Sequence, residues 1–260
     1  MDFPKKPCRL FSVSALGLLG LSLFFNSCGS YRDIQSDNGK QAVIEEANLY
    51  LNSGNCDKAI ETLTPLYQSS RTDNEVRMVF SSAYACKAGF SMTRIITNLK
   101  GSGNIWNIIV SSLYSNGSDG HYANFMEAAT ILRTTAPNGS LFAVDRPGDA
   151  NVYMIFMQLG VISSLISRMG VADSGTGAQT TPLVASDATM AERCSIQVAF
   201  STINDSLDSL GADTGTLANL STVVAAVCAL GGCTNVDPAV CTAAEDTIGT
   251  GFIAAIDASW

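Results

Sequence analysis

Apolar residues along this chain recur at three- and four-residue spacing, and the strict alternation of a half-buried strand is scarce throughout. Such a pattern leaves helix packed on helix as the way to build a core. The first segments show it well. Val43, Ala47, Tyr50 and Leu51 share one helical face that stops at Gly54. Ala59, Ile60, Leu63 and Leu66 form the next stripe, with Asn55 placed to cap it. Pro65 is expected to kink or end that helix early. Asp73 or Asn74 can cap a third helix that ends at Gly89, and a fourth runs from Ser91 to Gly101. The fold class is therefore all-α: antiparallel helical hairpins continuing into a C-terminal helical bundle.

Beyond Gly101 the helices are more apolar. IWNIIVSSLYS and GHYANFMEAATILRTTA precede a Gly/Pro-rich connection, and a longer helix follows from Asn151 to Val171. Its core, VYMIFMQLGVISSLI, is shorter than the roughly 20 residues of a membrane span, holds Gln158 and is followed by Arg168. It reads as a central buried helix, with its methionines and aromatics as core filling. Ala172 to Ala185 reads as a mobile Gly/Thr loop. Three further helices are expected, with Asp187 and Asp237 as N-caps and Pro238 in a first turn.

The N-terminus has a different character. Lys5, Lys6 and Arg9 precede an uncharged run from Leu10 to Phe25, closed by Asn26-Ser27-Cys28. A basic start, an apolar middle and a small-residue site together make a secretory signal. Phe25-Asn26-Ser27-Cys28 resembles the lipobox of bacterial lipoproteins, in which Gly, Ala or Ser precedes the modified cysteine. Ser27 and Cys28 match that pattern, whereas Phe25 and Asn26 depart from it. The resemblance implies cleavage before Cys28 and lipid on its sulfur. It also implies a membrane contact through that lipid and a place in the bacterial envelope, at the outer membrane facing the periplasm.

Removing residues 1–27 leaves 12 basic and 22 acidic residues, a net of −10. From Asn151 onward only Arg168 and Arg193 oppose ten carboxylates. Nucleic acid is not expected as a partner, because phosphate binding depends on clustered Lys and Arg.

Tyr50 and Tyr84 stand 34 residues apart. Together with Ala47 and Ser81 at a small position, and Ala59 and Leu63 one helix on, they resemble a pair of tetratricopeptide repeats. The hallmark Trp and the repeat-ending Pro are missing. Four regions result: signal peptide 1–27, flexible tether 28–40, repeat-like helical hairpins 41–101, and a helical domain 102–260 with disulfide-stapled C-terminal helices.

Six cysteines remain after the leader and Cys28 are set aside: Cys56, Cys86, Cys194, Cys228, Cys233 and Cys241. An even number in an exported chain points to disulfides. Six cysteines allow fifteen pairings, among which helix geometry favours 56–86, 194–228 and 233–241. Cys56 and Cys86 lie apart from the rest, Cys194 and Cys228 flank a break near Gly211 to Gly215, and Cys233 and Cys241 flank a short loop. In the repeat-like arrangement Cys56 also starts one helix where Cys86 ends the next. Zinc is disfavoured, since there is no CxxC pair and the single histidine, His121, is far from these cysteines.

Nothing assembles into catalytic chemistry. His121 reads as a polar surface residue at a helix start, where the dipole disfavours its charge. Glu45-Glu46 and Glu245-Asp246 are adjacent pairs that diverge on a helix. The glycines at 101–104 and 174–177 lack the strand and the Lys-Ser/Thr of a phosphate loop. No enzyme activity, metal or cofactor is expected. The resemblance to repeat proteins implies a lipid-anchored scaffold for a protein or peptide partner. The alternative is an accessory lipoprotein for solute uptake, holding a small organic ligand in a helical cavity.

Overall fold

The computed structural model describes residues 33–91, 95, 104–113, 119–173, 175–211 and 217–260. The leader, Cys28 and, apart from Ile95, nearly all of the fourth expected helix lie outside those residues. The described residues form nine α-helices and no named strand: α1 Asp37–Asn52, α2 Cys56–Ser69, α3 Asn74–Lys87, α4 Ile105–Leu113, α5 Asp119–Arg133, α6 Gly148–Met169, α7 Met190–Leu210, α8 Ala218–Gly231 and α9 Ala243–Ser259. The protein is all-α, built of helical hairpins packed on one another.

Residues 33–40 are not a free tether in their entirety. Ser36 caps α1 through Gly39 N–H, and Lys40 reaches Asp73 at 2.7 Å, so the chain is ordered from that point. The α1 and α2 stripes meet as expected. Val43, Ile44, Ala47, Ala59, Leu63 and Leu66 are buried, closed from above by Val76 and Phe80 of α3. Pro65 does not end α2, which continues to Ser69. Pro65 and Glu61 both lie on the exposed face, where water can serve the carbonyl the proline leaves unpaired, while Leu63 and Leu66 hold the turn in the core.

Helices α3 and α5 join this small core to a larger one. Ile131 of α5 belongs to the first, whereas Ala128 and Leu132 belong to the second. The Ser81 hydroxyl donates to the Ala128 carbonyl at 2.9 Å, pinning the two helices. The larger core surrounds α6. That helix is long and apolar enough by composition to cross a membrane, yet 89% of its most apolar stretch is buried in the protein. At Gly160 a Cβ would stand 2.4 Å from the Phe125 ring, so only glycine admits that approach of α5. On the other side of the core, Trp106, Phe200 and Phe252 stack edge to face.

The starts of the last helices differ from expectation. Thr189, not Asp187, caps α7, and Thr242, not Asp237, caps α9, each with a glutamate three residues on that bonds back to the cap N–H. Asp187 lies in a 3-10 turn, and Asp237 instead closes a turn through Ala239 N–H at 2.8 Å. Residues 232–242 are thereby left as a strap outside any helix. The 172–185 segment is also better anchored than its composition suggests. The Asp257 carboxylate accepts from Gln179 and from Leu183 N–H, and the Trp260 indole N–H donates to the Gly177 carbonyl.

Cys56 and Cys86 are joined. The other expected pairs are not: the structure links Cys194 to Cys241 and Cys228 to Cys233. The strap explains both. Gly232, at φ +82°, turns the chain back over the last turn of α8 and places Cys233 5.1 Å from Cys228 between Cα atoms. Helices α7 and α9 start side by side, bonded through Arg193 and Asp246 at 2.6 Å, so Cys241 just ahead of α9 meets Cys194.

Candidate binding cleft at the end of the hairpins

An open cleft of about 670 Å³ lies where the N-terminal hairpins meet the rest of the molecule. One wall comes from the α2–α3 turn and the start of α3: Thr72, Asn74 and Arg77. The other comes from the end of α5 and the connection to α6, with Thr134, Thr135 and Arg146. Asp73 fixes the first wall. It caps α3 through Glu75 and Val76 N–H, and the Lys40 ammonium, with those amides, holds its carboxyl below the usual range against the opposing effect of burial.

Arg146 fixes the second wall and is buried and fully engaged. Its Nε donates to Asn151 Oδ1 at 2.9 Å, Nη1 to the Leu141 carbonyl at 2.7 Å and Nη2 to Ser206 Oγ at 3.3 Å. Asn151 in turn donates to the Ala143 carbonyl at 2.8 Å, and Asp205 accepts from Ala143 N–H at 2.6 Å. Burial lowers the Arg146 pKa, with Asp205 and Asp145 pulling the other way. Arg77 is different. Its Nη1 donates to Asn74 Oδ1 at 2.9 Å, while its buried Nε has no acceptor.

The charge distribution singles out this end of the protein. Among the described residues Lys40, Lys58, Lys87, Arg168 and Arg193 each pair with a carboxylate. Arg71, Arg77, Arg133 and Arg146 make no such pair, and they lie in the α2–α3 turn, the first turn of α3, the end of α5 and the connection to α6. Of these, Arg77 and Arg146 line the cleft, beside the Asp145 carboxylate, whereas Arg71 and Arg133 do not. Sequence reading did not single them out, because no local pattern links positions 71–77 with 133 and 146. The available signal was the scarcity of cations, which makes each isolated arginine informative.

The residues weighed for chemistry stay apart. His121 is half-buried in the first turn of α5, and burial lowers its pKa. Its Nδ1 is buried with no hydrogen-bond partner. Glu46 accepts from Tyr50, Glu245 completes the α9 cap and Asp246 pairs with Arg193. Tyr50 and Tyr84 are partly buried packing residues of the small core. Among the described residues no three of His, Cys, Asp and Glu gather as a metal site needs. An apolar recess beside α6, between Ile109, Phe156 and Leu220, has only about 10 Å³ of room. No family model, curated protein or solved structure matches the chain.

Proposed function

We propose that this chain is a lipid-anchored helical protein of the bacterial envelope that holds a protein or peptide partner in the cleft at the end of its hairpins. The observation that carries the reading is the open cleft of about 670 Å³ with Arg77 in its wall, a guanidinium that forms no ion pair with any described carboxylate and whose buried Nε has no acceptor. Hydroxyls, a loop backbone and the Arg77 guanidinium suit an extended segment bearing a carboxylate, since Arg binds carboxylate through paired N–H donors. The recess beside α6 leaves no comparable room for an organic solute. The burial of Ala47 and Ser81 at helix contacts and the Cys56–Cys86 bond are in keeping with repeat-like hairpins. The three bonds among the six cysteines suit an oxidising compartment, and with it export.

Anchoring and binding are tested separately. A Cys28→Ala change is expected to release the protein from membranes and to block its processing; unchanged attachment and size would overturn the anchor. A photocrosslinker at Asn138, in the cleft, is expected to trap a defined envelope protein that one at the exposed Leu49 does not, and Arg77→Glu is expected to abolish the product. Equal products from both positions, unaffected by Arg77→Glu, would overturn the cleft.

A further inference from the structure

A second cavity, separate from the cleft, lies between α5, α6, α7 and the 232–242 strap. Its volume is about 110 Å³, and Arg133, Gln158, Ser195, Pro238 and the Cys194–Cys241 bridge contribute to its wall. Arg133 is only 7% exposed. No hydrogen bond or ion pair reaches its guanidinium from any described residue, and Nη1 is buried without an acceptor. Burial, reinforced by the nearby Arg146 charge, lowers its pKa to about 10, so the guanidinium stays charged at neutral pH. The Asp237 carboxylate on the strap favours that charge from a distance, without an ion pair.

A buried cation with no counter-charge in contact is unfavourable unless something compensates for its lost hydration. The protein's other well-buried guanidinium, Arg146, has three acceptors in contact. Arg133 has a cavity instead. Of the other polar groups there, the Gln158 amide is also short of an acceptor. Gln158 Nε2 meets only the Met154 sulfur at 3.5 Å, a weak acceptor. Ser195 gives its proton to the Ala191 carbonyl and lies 2.9 Å from the Tyr122 hydroxyl, so it offers no further donor.

We propose that the Arg133 cavity is a binding site for a small monovalent anion, chloride or a short monocarboxylate, held by the guanidinium and the Gln158 amide. The volume sets the size. A water takes up about 30 Å³ of liquid, so the space admits three or four atoms of that size, as in acetate. One cation matches one negative charge and leaves a dianion such as sulfate unbalanced. The site is distinct from the cleft and does not rest on the cleft's function.

The test is thermal unfolding of the full chain, disulfides intact, in zwitterionic buffer at constant ionic strength. Sodium acetate, chloride and sulfate are titrated in turn against wild type and Arg133→Met. Above the dissociation constant, acetate or chloride is expected to raise the wild-type Tm by about 3 to 5 °C per tenfold concentration, while sulfate shows only the general salt effect common to both proteins. The anion with the steeper response identifies the occupant. Arg133→Met is expected to fold, since an apolar side chain tolerates that burial, and to lose the specific slope. Arg133→Lys is expected to keep it with a weaker midpoint. A flat wild-type response to both anions, or a full slope in Arg133→Met, overturns the proposal. Excess ³⁵Cl linewidth in wild type, competed away by acetate, provides a reading that needs no variant; its absence together with a flat acetate response sinks the site.

Discussion

The two cores of this protein reach stability by different means. Around α1–α3 each helix buries one stripe, and its outer faces are tied by pairs such as Lys87–Asp57 and Lys58–Glu61. Around α6 the helix is enclosed on nearly every side, Ser163, Ser164 and Ser167 included, and two of those serines return their protons to the carbonyl four residues back. Opening a one-sided helix uncovers a single stripe of its neighbours. Opening an enclosed helix uncovers more, because every face is someone else's wall. The difference predicts that α6 and α7 open last and the N-terminal hairpin first.

The largest expected effect lies in the enclosed core. Phe200→Ala removes a ring packed between Trp106 and Phe252 and should cost about 3 to 5 kcal/mol, with denaturant unfolding shifted for the whole chain. If native-state hydrogen exchange in α6 stays unchanged, the enclosure does not couple the helices. Next come the disulfides. Replacing Cys56 and Cys86 by Ser opens a 30-residue separation and should cost about 3 to 4 kcal/mol, confined to exchange in α1–α3. Replacing Cys228 and Cys233 opens only 5 residues and should cost about 2 kcal/mol. An equal or reversed order in urea midpoints would remove the ranking. Thr189→Ala, which breaks the α7 capping box, should cost about 1 kcal/mol in the same assay.

The smallest effect is that of pH. Burial lowers the folded-state pKa of His121 below its ordinary 6.5, so the unfolded chain binds the proton more readily. Its contribution is complete above pH 6.5 and is lost as pH falls through the folded value. His121→Gln should therefore flatten the stability–pH slope just below pH 6.5. An identical slope in both proteins would assign it to other groups.

The stripes of α1 and α2 were legible because an amphipathic helix displays its buried face in its own spacing. The starts of α7 and α9 were misplaced because Asp187 and Asp237-Pro238 satisfy a one-residue cap rule, while Thr189…Glu192 and Thr242…Glu245 satisfy a reciprocal two-residue rule that overrides it. That misplacement carried into the cysteines, whose pairing depends on where the strap ends. The cleft and the Arg133 cavity were not legible at all. Each is assembled from residues far apart along the chain, and nothing local marks an arginine as lacking a partner.

The Cys194–Cys241 bridge turns the chain between those positions into a covalent ring that carries the smaller Cys228–Cys233 ring within it. A single backbone cut anywhere from position 195 to 240 would therefore leave one molecule of unchanged mass save for an added water. Only a thiol reagent would release α9 as a separate fragment, so a nick in the strap passes unseen on a non-reducing gel.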